Sequence, residues 1–135
     1  MNYVEKAKEN HKKGYNCAQS VVCAFADQLG VDEQTAYKLS EAFGSGMGGR
    51  LETCGAVTGA YMVLGMKNSD GELGSRATRM DTYKLVKKVT AEFEKKNNSV
   101  LCKELKGITG GQVLRSCPGC VEDAAKIVAE ILGVE

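Results

Sequence analysis

Six cysteines are spread over 135 residues, and four of them fall where a helix is expected to begin. Cys17 follows Asn16, Cys54 follows Thr53, Cys102 lies three residues after Ser99, and Cys117 precedes Pro118. Asn, Thr and Ser accept hydrogen bonds from the free N–H groups of a first turn, and Pro suits the first helical position because it has no N–H to satisfy. A helix N-terminus carries about half a positive charge, which favours an anion such as a thiolate. The thiolate is the nucleophile and the metal ligand of cysteine chemistry. Four such helix starts point to one site assembled in space.

The wide spacing of Cys17, Cys54, Cys102 and Cys117 is unlike a zinc ribbon, whose ligands come as two close pairs. Four thiolates satisfy tetrahedral zinc or an iron–sulfur cluster. The alternative is that free cysteines merely pack, since they are among the most buried residue types. Cys23 falls mid-helix in an apolar run and reads as a packing residue. Cys120 forms CPGC with Cys117, a spacing shared with dithiol oxidoreductases, but the βαβ context of those proteins is missing. Cys120 is therefore a resolving thiol, a substitute ligand or a passenger on the first turn.

Helices must position these thiols, because strand signals are nearly absent. The pattern predicts helices over about 2–13, 17–29, 32–43, 54–66, 76–96, 100–106 and 118–132, most of them ended by glycine. Asn16 and Gln19 resemble a capping box, and Asp32 caps the third helix. Ala36, Leu39 and Phe43 form that helix's buried stripe; Met80, Tyr83, Val86, Val89 and Phe93 form the stripe of the longest. Val121, Ala124, Ala125, Val128 and Leu132 do the same in the last. The expected fold is all-α: a compact single domain, 1–135, of six or seven helices.

The glycine-rich loop 44–50, GSGMGGR, lacks the Gly-Lys-Ser/Thr of a phosphate-binding loop and follows no strand. Its glycines, Gly46, Gly48 and Gly49, instead let backbone pass close to Cys54 and its cluster partners. Gly55, Gly59 and Ala60 leave a bare helix face for close packing, inside the chain or in a helix-mediated homodimer. His11 sits among lysines and reads as solvated, and Arg50 is either a thiolate partner or a surface residue.

Composition narrows the function. Apolar residues make up 43% and charged residues 26%, with 18 Lys+Arg against 17 Asp+Glu, so no global field points to nucleic acid. Lys84, Lys87, Lys88, Lys95 and Lys96 read as the wet face of a helix. No apolar stretch approaches the ~20 residues of a membrane span, and the charged N-terminus is unlike a signal peptide. A cytoplasmic location is expected, where stable structural disulfides are uncommon. No Ser/His/Asp or paired-carboxylate pattern suggests hydrolysis.

CGAVTG at residues 54–59 resembles the CGAxxG motif of a family of redox-active proteins named for the pattern C_GCAxxG_C_C. The resemblance spans nearly the whole chain. It places the four characteristic cysteines at Cys17 in GYNCAQSV, Cys54 in TCGAVTGAYMVLG, Cys102 in LCKEL and Cys117 in CPGCVEDAA, Cys117 matching better than Cys120. It implies redox activity without naming a cofactor or substrate. The expectation is one four-cysteine centre, an iron–sulfur cluster for electron transfer or redox sensing with an unidentified redox partner. The alternatives are a metal-free thiol–disulfide oxidoreductase, with Cys117 or Cys54 attacking, and a structural zinc module.

Overall fold

A computed structural model describes residues 1–108 and 110–135. Six helices of eight or more residues carry the fold: α1 (Tyr3–Lys12), α2 (Cys17–Ala24), α4 (Glu33–Ser40), α6 (Gly55–Asn68), α7 (Arg79–Asn97) and α9 (Cys117–Leu132). Three single turns, α3 (Ala26–Leu29), α5 (Gly44–Met47) and α8 (Cys102–Leu105), complete it. The fold is all-α, with no strand among the described residues beyond one isolated bridge between Thr53 and Leu101.

α6 is the hub. It is apolar on every side, and a helix of that kind belongs in an interior. Ala56, Val57, Ala60, Val63 and Leu64 are all buried. α2, α7 and α9 pack around it, and α1 lies across α2 and α9. Gly55 and Gly59 make the contact with α2 close: a Cβ at Gly59 would stand 3.0 Å from the Ala18 carbonyl oxygen. The bare glycine face is therefore covered within the chain by α2. Tyr3 stacks on buried Phe25 at 4.7 Å, and the Tyr3 N–H donates to the Glu135 carbonyl, closing the first helix onto the chain's end.

Several helices depart from the sequence expectation for identifiable reasons. The helix expected over 17–29 breaks at Phe25, whose N–H bonds Val22 at i−3 and whose ψ is 11°. The helix from Asp32 is α-helical only to Ser40 and tightens into a 3-10 turn at Glu41–Phe43. Ser40 Oγ donates to the Ala36 carbonyl at 2.7 Å, a back-bond that bends helices. Leu39, expected inside, is exposed, as are Met80 and Tyr83. The first half of α7 projects beyond the core, and only Val89 and Phe93 of its expected stripe are fully buried. Leu132 is half-buried, whereas the other expected core positions of α9 are inside. The five lysines of α7 are exposed, as their pattern implied.

No helix among the described residues is long and apolar enough to cross a membrane.

Candidate functional site

Three helix starts meet at one end of the bundle, and each is prepared locally. Asn16 caps α2 with a full capping box: its side chain accepts from the Gln19 N–H, and Gln19 returns the bond to the Asn16 N–H. This leaves Cys17 as the first residue of α2. Ser116 caps α9, accepting from the Gly119 N–H at 3.1 Å, with Cys117 and Pro118 opening the helix. Cys54 is itself the cap residue of α6.

Cys102 arrives by a different route. The Cys54 N–H donates to the Val100 carbonyl and the Cys102 N–H to the Glu52 carbonyl, both at 2.7 Å. This short antiparallel contact sets Cys102 beside the start of α6. Ser99, expected as a cap, instead accepts from the Leu101 N–H and donates to Glu104. The glycine loop closes over the same place. Gly46 has φ +70°, and a Cβ there would stand 2.7 Å from Cys102 Cβ and 2.6 Å from the Glu52 nitrogen. Ser45, Met47 and Leu51 also hold positive φ, a backbone state that costs about 1–2 kcal/mol for each such side chain. Of the three glycines expected to allow close approach, Gly46 does so, at Cys102; a Cβ at Gly48 would meet only the Ala42 carbonyl, and one at Gly49 nothing within 4 Å.

Between these elements lies a cavity of about 130 Å³ lined by Cys17, Cys54, Cys102, Cys117 and Cys120 together with His11, Lys106 and Arg115. The four cysteines singled out by position in the sequence are thus brought together, and Cys120 joins them. Cys23 does not; it is buried elsewhere in α2, its thiol facing the Glu33 carbonyl at 3.7 Å. Arg50 is exposed and lies outside the cavity wall.

The thiols are all reduced. Cys17 is pushed far above its ordinary value by its neighbour Cys117 and by burial. Cys117 is brought down to about 6 by Cys17 against its burial, helped by the charges of Lys106 and His11. Cys120 is pushed far up by neighbouring Cys54 and by burial. Cys54 is lowered by Cys120, against its burial and with help from the Ala56 and Val57 N–H groups at the start of α6. Burial raises the Cys102 thiol, and Lys106 partly offsets that. Among the described residues, no group of three or more His, Cys, Asp or Glu side chains is disposed to hold a metal ion.

Three residues of the wall escaped the sequence reading. His11, expected in solvent, is half-buried with Nε2 3.9 Å from Cys17 Sγ. Lys106 has no carboxylate partner among the described residues and faces the thiols. Arg115 lies folded across Gly119, where a Cβ would stand 2.4 Å from its Nε. Its guanidinium donates to buried Asp123 at 3.0 Å, and Lys96 and Asn97 donate to the same carboxylate at 2.6 and 3.1 Å. The spacing of Arg115, Gly119 and Asp123 around the CPGC turn was the available signal for that residue. For His11, the only signal was its place on the helix preceding Cys17.

The chain belongs to the family described as "Putative redox-active protein (C_GCAxxG_C_C)", whose pattern matches residues 15–131. No curated protein and no solved structure matches it.

Proposed function

We propose that the thiol-lined cavity is an electron-transfer or redox-sensing centre built to hold an iron–sulfur cluster. Cys17, Cys54 and Cys117 would be ligands, with a fourth thiolate from Cys102 or Cys120 in the same wall. The observation that carries this reading is the convergence of five thiols on the wall of one cavity. Iron–sulfur clusters are held by cysteine thiolates, four to a cluster. Membership of a redox-active family agrees with it.

The bound cluster would supply one-electron chemistry. The chain's own part is electrostatic. Helix starts and the cations Lys106 and Arg115 would offset negative charge in the cavity, and the strained 44–50 loop closes over Cys102.

A second reading has its own observation. Cys117 is half-exposed, lowered to about 6, and shares the cavity wall with a second thiol, Cys17, as an attacking thiolate and its resolving partner would in a metal-free thiol–disulfide protein.

The test is the metal and acid-labile sulfide content of protein purified without oxygen, with a visible spectrum of the same sample. Iron with sulfide, and absorption that bleaches on reduction, is the expected result. Zinc alone would replace this reading with a structural module. Neither metal, together with thiols that open and close with reductant, would replace it with thiol–disulfide exchange.

A further inference from the structure

Two neighbouring segments wall the thiol cavity: Ser45 and Gly46 come from the strained loop, and Cys102, Leu105 and Lys106 from α8 and its exit. The Lys103 N–H donates to the Leu51 carbonyl at 3.2 Å, which seats the two segments side by side.

Past α8 the chain exposes Ile108, Val113 and Leu114, at 55, 63 and 39%. These are not fraying ends. Gly107, at φ +72°, turns the backbone so tightly that a Cβ there would stand 2.9 Å from the Gly111 carbonyl oxygen. The Ile108 N–H donates to the Lys103 carbonyl and the Leu114 N–H to the Leu105 carbonyl, both at 2.9 Å. Apolar side chains held at the surface on tied backbone, beside a cavity, mark a contact site.

Charge on the same two segments is mainly positive. Arg50 and Lys103 are exposed, Lys106 lines the cavity, and none of the three enters an ion pair among the described residues. Against them stand Glu52 and Glu104, and Glu104 is engaged by the Ser99 hydroxyl. The whole chain carries only +1, so this local excess decides what approaches the cavity. A second copy would set these cations against themselves. Three apolar residues are also few for a stable dimer, whereas electron-transfer partners meet over less than about 1,200 Å².

We propose that this rim docks an acidic redox protein, with apolar contact at Ile108, Val113 and Leu114 and electrostatic contact at Arg50, Lys103 and Lys106. The docking rests on the redox reading of the cavity and gives its partner a chemistry.

The experiment measures binding of the full chain, purified without oxygen, to an immobilised acidic flavodoxin, with basic cytochrome c as the opposite-charge control. Binding to flavodoxin alone is expected, lost in about 0.5 M salt. Arg50→Glu with Lys103→Glu should weaken it by about tenfold or more. Ile108→Ser with Val113→Ser should weaken it about threefold. Lys84→Glu with Lys87→Glu makes the same change in net charge on α7, away from the cavity, and should alter it by less than about twofold. Urea midpoints matching the unaltered chain keep a loss of binding distinct from a loss of fold.

No binding to flavodoxin, or an equal loss from the α7 pair, would overturn the docking surface. So would binding indifferent to the Ile108 and Val113 changes, which would leave a site for small anions in its place. Binding is read without electron transfer. A chain that holds no iron yet binds through these residues keeps the surface while the cluster reading falls, and a chain with iron and no binding does the reverse.

Discussion

Cys17 and Cys23 lie on the same helix, six residues apart, and have little in common chemically. Cys17 opens α2 behind a capping box, half-exposed, with His11 Nε2 3.9 Å from its Sγ and Cys117 on the same cavity wall. Cys23 sits past the middle of the helix, buried and without a thiol partner. Burial first, and then the Glu33 charge, raise its thiol to about 11. The difference is one of position along a helix. At the first turn, free N–H groups and neighbouring helix starts give a thiol partners and charge; in later turns, the backbone is spent on itself and the thiol packs as a small apolar group.

The sharpest way to break this comparison is to exchange the outcomes of the two positions. Cys17→Ser or Cys117→Ser is expected to reduce iron in anaerobically purified protein to background, whereas Cys23→Ser leaves the iron content unchanged. Equal losses from Cys17→Ser and Cys23→Ser would show that helix position does not distinguish them.

Gly46→Ala tests the loop that closes the helix-start region. Its Cβ would meet Cys102 and the backbone at 2.6–2.8 Å in a left-handed conformation. A loss of about 3 kcal/mol in urea unfolding is expected from the strain and overpacking. An equivalent change on the Cys23 side, Cys23→Ala, removes only a small side chain and is expected to cost about 1 kcal/mol.

Asp123 tests the support beneath α9. Burial raises its carboxyl, but hydrogen bonds from Lys96, Arg115 and Asn97 outweigh this and hold it below its ordinary 3.8. Its contribution to stability is therefore complete above about pH 3.8 and is lost as pH falls through the lower folded value. Asp123→Ala is expected to cost about 2 kcal/mol near neutrality, because Lys96 and part of Arg115 can still reach water. The difference from the unaltered chain should shrink in acid urea titrations.

Lys106→Met carries the smallest expected effect. It removes a positive charge facing Cys17, Cys102 and Cys117 but nothing facing Cys23. Alkylation of Cys117 in metal-free protein near pH 6 should slow by less than about tenfold, a shift within one pKa unit, and Lys106→Arg should restore it. Cys23 alkylation should not change.

Much of the site was legible because its ingredients are local. The Asn16–Gln19 box, the Asp32 cap and the Pro118 start are local arrangements spanning three or four residues, and the first and last of them put cysteines at helix starts before any packing is known. Apolar spacing likewise identified the buried face of α9. It overreached at Met80, Tyr83 and Leu39, because a periodic stripe marks the face that would be buried but not whether another helix reaches it.

The sequence by itself determined an all-α chain with thiols at helix starts and a glycine loop able to approach them. The tertiary structure decided which thiols share one cavity, and it brought His11, Lys106 and Arg115 to its wall. The physical reason is range. A cap is written in neighbouring residues, whereas the meeting of Cys54 and Cys120 on one wall depends on how α6 and α9 pack, and that packing is set by contacts throughout the core.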